Sequence, residues 1–198
     1  MLQLKSKKNS LSLIAISALW LCFVSACSNS PSSVEDFRKV SRSTYEFLPE
    51  AEKKSLVEDL HSAAKRGDNE ALRKALNRGV SPDATPSGWW TPMMEASSKG
   101  HSVIIQSLLE FGANVNYSND IGLTALMSAA VNKRPEIIKL LLESKADVNQ
   151  KDKNGDTALY KAQTVFCDEC VDLLTKAGGT SSLSSEFYEN LRKKNKKR

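Results

Sequence analysis

A 33-residue pattern that is written twice constrains this chain more than any other feature of its sequence. The first copy runs from Thr85 to Tyr117, and the second runs from Ser118 to Gln150. Steps of 33 residues pair matching residues, among them Thr91 with Thr124, Ala96 with Ala129, Ile104 with Ile137, Leu108 with Leu141, Ala113 with Ala146 and Asn116 with Asn149. Further steps reach matching residues on both sides, so four units are in register. A recurrence of this length predicts a stack of equal units, each too small to bury its apolar face alone.

Each unit has the pattern of two short helices followed by a turn. The hydroxyl of Thr91 or Thr124 can accept a hydrogen bond from the first turn of a helix, and small residues that let helices approach follow. A second helix is indicated by apolar residues with i, i+1, i+4, i+5 spacing, which share one helical face: Ile104, Ile105, Leu108 and Leu109. Gly112 then suits a left-handed helix end.

This order of Thr-Pro or Thr-Ala, small residues, Ile-Ile-x-x-Leu-Leu, Gly-Ala and Asp/Asn-Val-Asn resembles the ankyrin repeat. The resemblance covers roughly Leu56 to Gly179, with units at 56–84, 85–117, 118–150 and 151–182. It implies an all-α solenoid of about four helix-turn-helix repeats with short hairpin fingers. Apolar residues outside the repeats predict a helical cap at each end, because a terminal unit otherwise leaves an apolar face wet.

Some positions depart from the family pattern. Trp89 occupies the slot of the hairpin glycine that Gly122 and Gly155 fill in later units, so we expect an altered turn there. Lys145 replaces the glycine at a helix end. The histidine slot of the family holds His61, Met94, Met127 and Tyr160 in the successive units.

The N-terminal segment, residues 1–26, has the pattern of an export signal. Lys5, Lys7 and Lys8 precede an apolar stretch from Leu11 to Val24 that is short and interrupted by serines. Val24-Ser25-Ala26-Cys27 resembles the lipobox of bacterial lipoproteins, in which the cysteine is acylated and becomes the mature N-terminus. The resemblance predicts a lipid anchor on Cys27 in the bacterial cell envelope, and Ser28 favours the periplasmic face of the outer membrane. An uncleaved anchor, or an ordinary secretory signal with an incidental cysteine, are the alternatives.

Two segments flank the repeats. Residues 27–55 predict a polar tether and an N-terminal capping helix with apolar contacts at Val34, Phe37, Val40, Tyr45 and Phe47; a partner-binding helix is the alternative. Residues 183–198 predict a C-terminal capping helix, because Leu183, Phe187 and Leu191 recur at i, i+4 and i+8, followed by a disordered basic tail over residues 192–198. That tail is a solvated terminus or an electrostatic contact to anionic lipid.

The distribution of charge argues against nucleic-acid binding by the repeats. Of the 28 basic residues, three lie in the export signal and six lie between Arg192 and Arg198. The rest of the chain, without the C-terminal helix, holds 19 basic and 21 acidic residues. The net charge of +5 therefore comes from the ends of the chain.

The residue types that enzymes and metal sites need are scarce. His61 and His101 are the only histidines, and both lie in slots where the family uses the imidazole to hydrogen-bond the backbone. The sequence has no phosphate-binding glycine loop and no nucleophile elbow. We expect no enzyme activity, no metal and no cofactor.

Cys167 and Cys170 form the only motif of possible redox chemistry. A Cys-x-x-Cys at a helix N-terminus lowers a thiol pKa and supports disulfide exchange. In contrast, Cys170 lies in the core slot of Ile104 and Ile137, and an oxidising compartment favours a structural disulfide. A structural disulfide, buried thiols and thiol-redox activity remain the three interpretations.

Recognition of another protein is the function that the resemblance implies. In the family, partners lie along the fingers and first helices on the concave side of the stack. Carried onto this sequence, that face offers Trp89, Trp90, Met94, Asp120, Ile121, Leu123, Met127, Val131, Lys153, Asp156 and Tyr160. Exposed tryptophan is typical of binding hot spots, although Trp89 or Trp90 could instead pack beneath the first unit.

The sequence therefore predicts a monomeric, non-catalytic protein-binding module in the bacterial envelope. Small anchored proteins of this family act as immunity or inhibitor proteins, so a periplasmic toxin or hydrolase is one predicted partner. An envelope scaffold or stress-protection factor, and a thiol-redox protein that uses Cys167 and Cys170, are the alternatives.

Overall fold

The structure, a computed structural model, describes residues 42–86 and 90–195 and is helical throughout. A short helical segment over residues 42–46 precedes the longer helices. These are α1 (Glu50–Arg66), α2 (Asn69–Asn77), α3 (Pro92–Lys99), α4 (Ser102–Glu110), α5 (Ala125–Val131), α6 (Pro135–Glu143), α7 (Ala158–Thr164), α8 (Asp168–Lys176) and α9 (Ser185–Asn195). The two described ranges contain no strand. The predicted export signal, Cys27 and the first part of the predicted N-terminal cap lie outside them.

Threonine caps begin the first helix of three repeats, as the sequence predicts. The side-chain oxygens of Thr91, Thr124 and Thr157 accept hydrogen bonds from the backbone N–H three residues later, at 3.2, 3.2 and 3.3 Å. Pro92 and Pro135 lie in the first turns of α3 and α6, where a missing N–H leaves no broken bond. These caps fix where each helix starts.

Helices pair within a repeat and stack between repeats. We call α1, α3, α5 and α7 the inner helices, and α2, α4, α6 and α8 the outer helices; each set packs against its own neighbours along the stack. One slot shows why the inner helices approach closely, since it holds a fully buried alanine in every repeat: Ala63, Ala96, Ala129 and Ala162. The outer helices contribute buried Ile104, Ile137 and Cys170 in another shared slot. The core is therefore a continuous layer that passes from repeat to repeat.

A ladder of short polar side chains also joins successive repeats. The carboxylate of Asp83 accepts from the backbone N–H of Asn114 at 3.0 Å, Asn116 accepts from Asp147 at 2.7 Å, and Asn149 accepts from Thr180 at 2.8 Å. The three accepting residues are spaced by 33, and each reaches 31 residues ahead. Hydrogen bonds across each boundary fix the register of one repeat on the next.

The N-terminal end of the stack differs in detail from the prediction. The first inner helix, α1, has 17 residues and begins at Glu50, ahead of the first predicted repeat. Tyr45 and Leu48 pack against the core, but Phe47 is 88% exposed. The expected contact of Phe47 is therefore wrong, because its side chain points away from the first repeat.

The C-terminal helix α9 forms close to its predicted place, but with a different buried face. Leu183 precedes the helix, and Ser184 caps it by accepting from the N–H of Phe187 at 3.2 Å. Phe187 is 52% exposed, whereas Tyr188 is 4% exposed. The predicted burial of Phe187 is therefore wrong, whereas Leu183 and Leu191 of the same predicted stripe are half-buried, and Tyr188 contributes the main buried contact. No helix in the described part of the chain is long and apolar enough to cross a bilayer.

Candidate partner-binding surface

The second finger, residues 117–123, is a tight turn that is held from within by Asn119. The side-chain oxygen of Asn119 accepts from the backbone N–H groups of Ile121 and Leu123, at 3.1 and 2.9 Å. Gly122 supplies the left-handed conformation that the turn needs, with a φ of 78°. A Cβ on Gly122 would lie 2.7 Å from the backbone of Asp152, so the next finger leaves no room for a side chain there.

The third finger, residues 150–156, repeats this turn with a carboxylate in place of the amide. Asp152 accepts from the N–H groups of Asn154 and Asp156, both at 2.9 Å, and pairs with the ammonium of Lys161 at 2.6 Å. Burial opposes the ionised form of Asp152, but Lys161 and the two N–H groups outweigh it and lower the pKa of Asp152. Lys153 donates its N–H to the carbonyl of Ile121, so the two fingers are also joined to each other.

The fingers and inner helices leave four predicted partner residues open to solvent. Asp120 and Ile121 lie at the tip of the second finger, and Lys153 lies at the tip of the third. Val131 ends α5 and is 42% exposed, and Ile121 is 47% exposed. These side chains can contact another protein without any change in the backbone.

Other predicted partner residues are only half exposed. Trp90 and Leu123 pack in part against the hydrophobic core. Tyr160 is half-buried, and the half-buried Asp156 lies 3.4 Å from the ammonium of Lys161. Trp89 lies outside the described residues, together with the predicted altered turn of the first finger.

The predicted contribution of Met94 and Met127 to this surface is wrong. Both side chains are almost completely buried, at 0% and 1% exposure. They occupy the histidine slot of the repeat, and in the first repeat His61 shows where that slot points: its Nε2 lies 2.9 Å from the carbonyl oxygen of Ala84 at the base of the next finger. Methionine has no N–H to offer that carbonyl, so it fills the space with apolar contacts instead.

Both histidines have the structural role that the sequence predicts. Burial lowers the pKa of His61, against the opposing effects of its hydrogen bond to Ala84 and the charge of Glu95. His101 places its Nε2 3.1 Å from the carbonyl oxygen of Lys65 in the preceding repeat. A Cβ on Gly67 would lie 2.9 Å from the His101 ring, so the glycine makes room for the imidazole.

A model of three ankyrin repeats matches residues 60–152 of the chain. The fold is an ankyrin-repeat solenoid. A comparison with curated proteins finds none that matches it. Ankyrin repeats are in general non-catalytic modules that bind other proteins, which indicates that this chain is a protein-binding module.

The fourth helix pair, α7 and α8, lies beyond that match and differs from the others at its cysteines. Cys167 and Cys170 form a disulfide across the first turn of α8. Cys170 has no exposed surface and Cys167 is 8% exposed. Neither sulfur is the solvent-accessible thiol that redox activity would require, whereas both suit a structural bridge.

The C-terminal helix α9 is held on this fourth helix pair by one carboxylate. Asp168 accepts from the Tyr188 hydroxyl at 3.1 Å and from the Arg192 guanidinium at 2.6 Å. Burial and the hydrogen bond to Asp168 raise the pKa of Tyr188 to about 12. Arg192 also pairs with Glu189, so the prediction that it belongs to a disordered tail is wrong. A cleft of about 340 Å³ remains between α9 and the repeat.

Sequence reasoning missed how the fingers and repeats are joined. Asn119 and Asp152 are 33 residues apart, and each accepts backbone N–H groups of its own finger. The ladder residues Asp83, Asn116 and Asn149 are also spaced by 33, and each accepts a backbone N–H of the next repeat. The recurrence of a short polar side chain in one slot was the available signal. Within the described residues, no cluster of His, Cys, Asp or Glu could hold a metal ion.

Proposed function

We propose that this chain binds a protein partner through the tips of its second and third fingers. The observation that supports this is the position of Ile121, whose apolar side chain is 47% exposed on a turn closed by four hydrogen bonds. An apolar side chain gains nothing from contact with water, and the rigid turn prevents it from folding back. A preorganised contact of this kind loses little conformational entropy on binding.

The surroundings of Ile121 suit a protein ligand. Asp120 and Lys153 place opposite charges beside it, and Val131, at the opposite end of α5, is a second exposed apolar side chain on the same repeat. A small apolar centre with a polar rim is the usual composition of a protein interface. Trp90 contributes in part, because its side chain is shared with the core.

We also propose that the module works in the bacterial envelope, held there by acylation of Cys27. The export pattern and the lipobox-like residues at Val24 to Cys27 support this location. Several acyl chains anchor a protein stably, whereas one chain binds only marginally. The basic residues that follow α9 would add electrostatic attraction to anionic lipid.

Within that location we favour an immunity or inhibitor role against a toxin or hydrolase that reaches the periplasm. A rigid surface that binds without transforming its ligand is suited to covering the active site of another protein. A scaffold or stress-protection role uses the same surface. The two roles differ in one measurable respect, since only an inhibitor abolishes the partner's activity at a one-to-one ratio.

The test of binding compares two equally simple substitutions. Ile121→Asp should weaken capture of the partner from an envelope extract by more than about fivefold, since a buried charge replaces an apolar contact. Val103→Asp is the matched control, because Val103 is 54% exposed on the outer helix α4. The free energy of unfolding of both variants should change by less than about 0.5 kcal/mol. If both variants capture the partner equally well, the binding site does not lie on the fingers.

The location has its own test. Cys27→Ser should shift the chain from the membrane pellet to the soluble fraction of the envelope, because the acylation site is lost. Metabolic labelling with a radioactive fatty acid should mark the wild type and leave the variant unlabelled. A variant that stays in the pellet would contradict lipid anchoring and leave the binding proposal intact.

A further inference from the structure

Five cations follow one edge of the stack, at or just after the ends of the inner helices. Lys65 and Arg66 end α1, Lys99 ends α3, and Lys133 and Arg134 follow α5. We call these five residues the basic row. All five side chains are exposed.

The basic row is not neutralised within the described part of the chain. No carboxylate lies within 4.0 Å of any of the five cations, although other exposed cations such as Arg73 and Arg78 do form ion pairs. The repeat body as a whole is almost neutral, whereas these five residues put a net positive charge on this edge. Like charges kept close together raise the energy of the unbound protein.

Contacts between repeats hold the row together. Arg134 donates from Nε to the carbonyl of Ser98 at 3.2 Å, and its side chain lies against Gly100, next to Lys99. In the equivalent slot, His101 reaches the carbonyl of Lys65 itself. Neighbouring helices pack roughly 10 Å apart, so the row spans about 20 Å over three repeats.

The row ends beside exposed apolar side chains. Val131 is 42% exposed in the last turn of α5, just before Lys133. In the fourth repeat the slot of Lys133 holds Phe166, which is 36% exposed and stacks on Tyr188 with ring centroids 6.3 Å apart. The edge therefore changes from cationic to apolar along the stack.

From this arrangement we infer that the basic row docks an acidic protein segment, which places its carboxylates along repeats one to three and an apolar side chain near Val131 and Phe166. The inference rests on the proposed protein-binding function and names the chemistry of the partner. A nucleic acid would satisfy the cations but would leave the apolar end of the edge without a partner. A protein segment satisfies both.

The experiment uses the full chain and two labelled probes of equal length: a peptide of Glu residues interspersed with Leu, and an oligothymidylate. Lys65, Arg66, Lys99 and Lys133 are changed together to Gln, while Arg134 is kept because it joins two repeats. The control changes Lys54, Lys74, Lys139 and Lys176 to Gln, which removes the same charge from exposed positions off the row. Binding is measured at salt concentrations of about 0.01 M and about 0.15 M, where the Debye lengths are about 30 and 8 Å.

We expect the row variant to bind the peptide about tenfold more weakly than the wild type, since each lost ion pair weakens binding by roughly a factor of two. The control variant should change by less than about twofold. At the higher salt concentration the peptide should bind more tightly than the oligothymidylate. Tighter, row-dependent binding of the oligothymidylate would overturn the inference in favour of nucleic acid.

A purely structural role of the cations gives a different result. Positive side chains at helix C-termini stabilise the helix dipole. If that were their only role, the row variant would unfold at a lower temperature and bind the peptide as well as the control variant does, and the inference would be wrong.

The partner captured for the proposed function separates the two hypotheses. Weak binding of that partner by the row variant supports both. A partner that depends on Ile121 but binds the row variant normally would overturn the acidic docking edge and leave the proposed function standing. If no captured partner depends on Ile121, the proposed function of the fingers is wrong, whatever the result of the peptide-binding experiment.

Discussion

At the scale of single residues, the left-handed helix ends show how closely this chain follows its repeat. One slot after the inner helices holds Gly67, Gly100, Lys133 and Phe166, and all four have positive φ, at 76°, 85°, 55° and 54°. A slot after the outer helices holds Gly79, Gly112, Lys145 and Gly178, again all with positive φ. The left-handed backbone conformation therefore persists at Lys133, Phe166 and Lys145, where the repeat has lost its glycine. Each of these non-glycine residues costs about 1 kcal/mol.

Lys145 is the position where this cost is simplest to measure. Its φ is 65° and its side chain is exposed, so Lys145→Gly should raise the free energy of unfolding by about 0.5 to 1 kcal/mol. The reverse change, Gly112→Lys, should lower it by about 1 kcal/mol, and a Cβ there meets no atom within 4 Å that could clash. Urea unfolding of both variants measures the two values. Changes of the same sign would show that backbone conformation does not control stability at this slot.

At the scale of elements, α9 is the helix that depends most on a few contacts. It lies outside the repeat pattern, and its buried contact is Tyr188 together with the bonds from Tyr188 and Arg192 to Asp168. Elements with few buried contacts open at a lower free energy than the rest of a protein. We therefore expect α9 to open before the stacked helices do.

Asp168→Asn tests how α9 is attached. The substitution removes the ion pair to Arg192 and weakens the bond from Tyr188, so α9 should lose about 1 to 2 kcal/mol of stability. Hydrogen exchange should show faster exchange of the α9 amides and unchanged exchange in α3 to α6. Asp172→Asn on the same helix α8 is the control, and it should leave α9 protected. Uniform loss of protection in all helices would instead show that α9 and the repeats unfold as one unit.

The sequence predicts the elements better than it predicts which side chains are exposed. Period, caps and apolar spacing are properties of single helices, so the ankyrin fold and the threonine caps were predictable. The burial of Met94 and Met127 depends on where the next finger lies, and the choice of Tyr188 over Phe187 depends on where Asp168 lies in another helix. These contacts between elements leave no regular pattern in the sequence. Ile121, in contrast, was predictable, because a finger tip has no neighbour to cover it.

At the scale of the whole molecule, the ladder of Asp83, Asn116 and Asn149 connects all four repeats. Asp83 is the only carboxylate of the three, and burial raises its pKa above the usual value of 3.8, although the N–H of Asn114 opposes the shift. The folded state therefore holds the proton more tightly than the unfolded state. Stability from this group is present below pH 3.8 and is lost as the pH rises through the folded pKa.

Asp83→Asn should remove that pH dependence and stabilise the chain. An amide keeps the acceptor for Asn114, and its N–H can reach the carbonyl of Gly112, as Asn149 reaches Gly178 at 3.1 Å. We expect a gain of about 1 kcal/mol at neutral pH, shrinking towards pH 3.8. Thermal unfolding of the variant and the wild type over this range measures the difference. A gain that is constant with pH would mean that Asp83 has an unshifted pKa.

The same ladder also determines how such a protein can grow. Each of these contacts needs an acceptor in one unit and a backbone N–H 31 residues further on, and Asn116 and Asn149 both supply an asparagine side-chain oxygen. A duplicated segment of 33 residues inserted after Tyr117 could therefore form the same hydrogen bonds with the repeat before it and the repeat after it. Gene duplication would lengthen the protein by one finger at a time, without any new joint having to evolve.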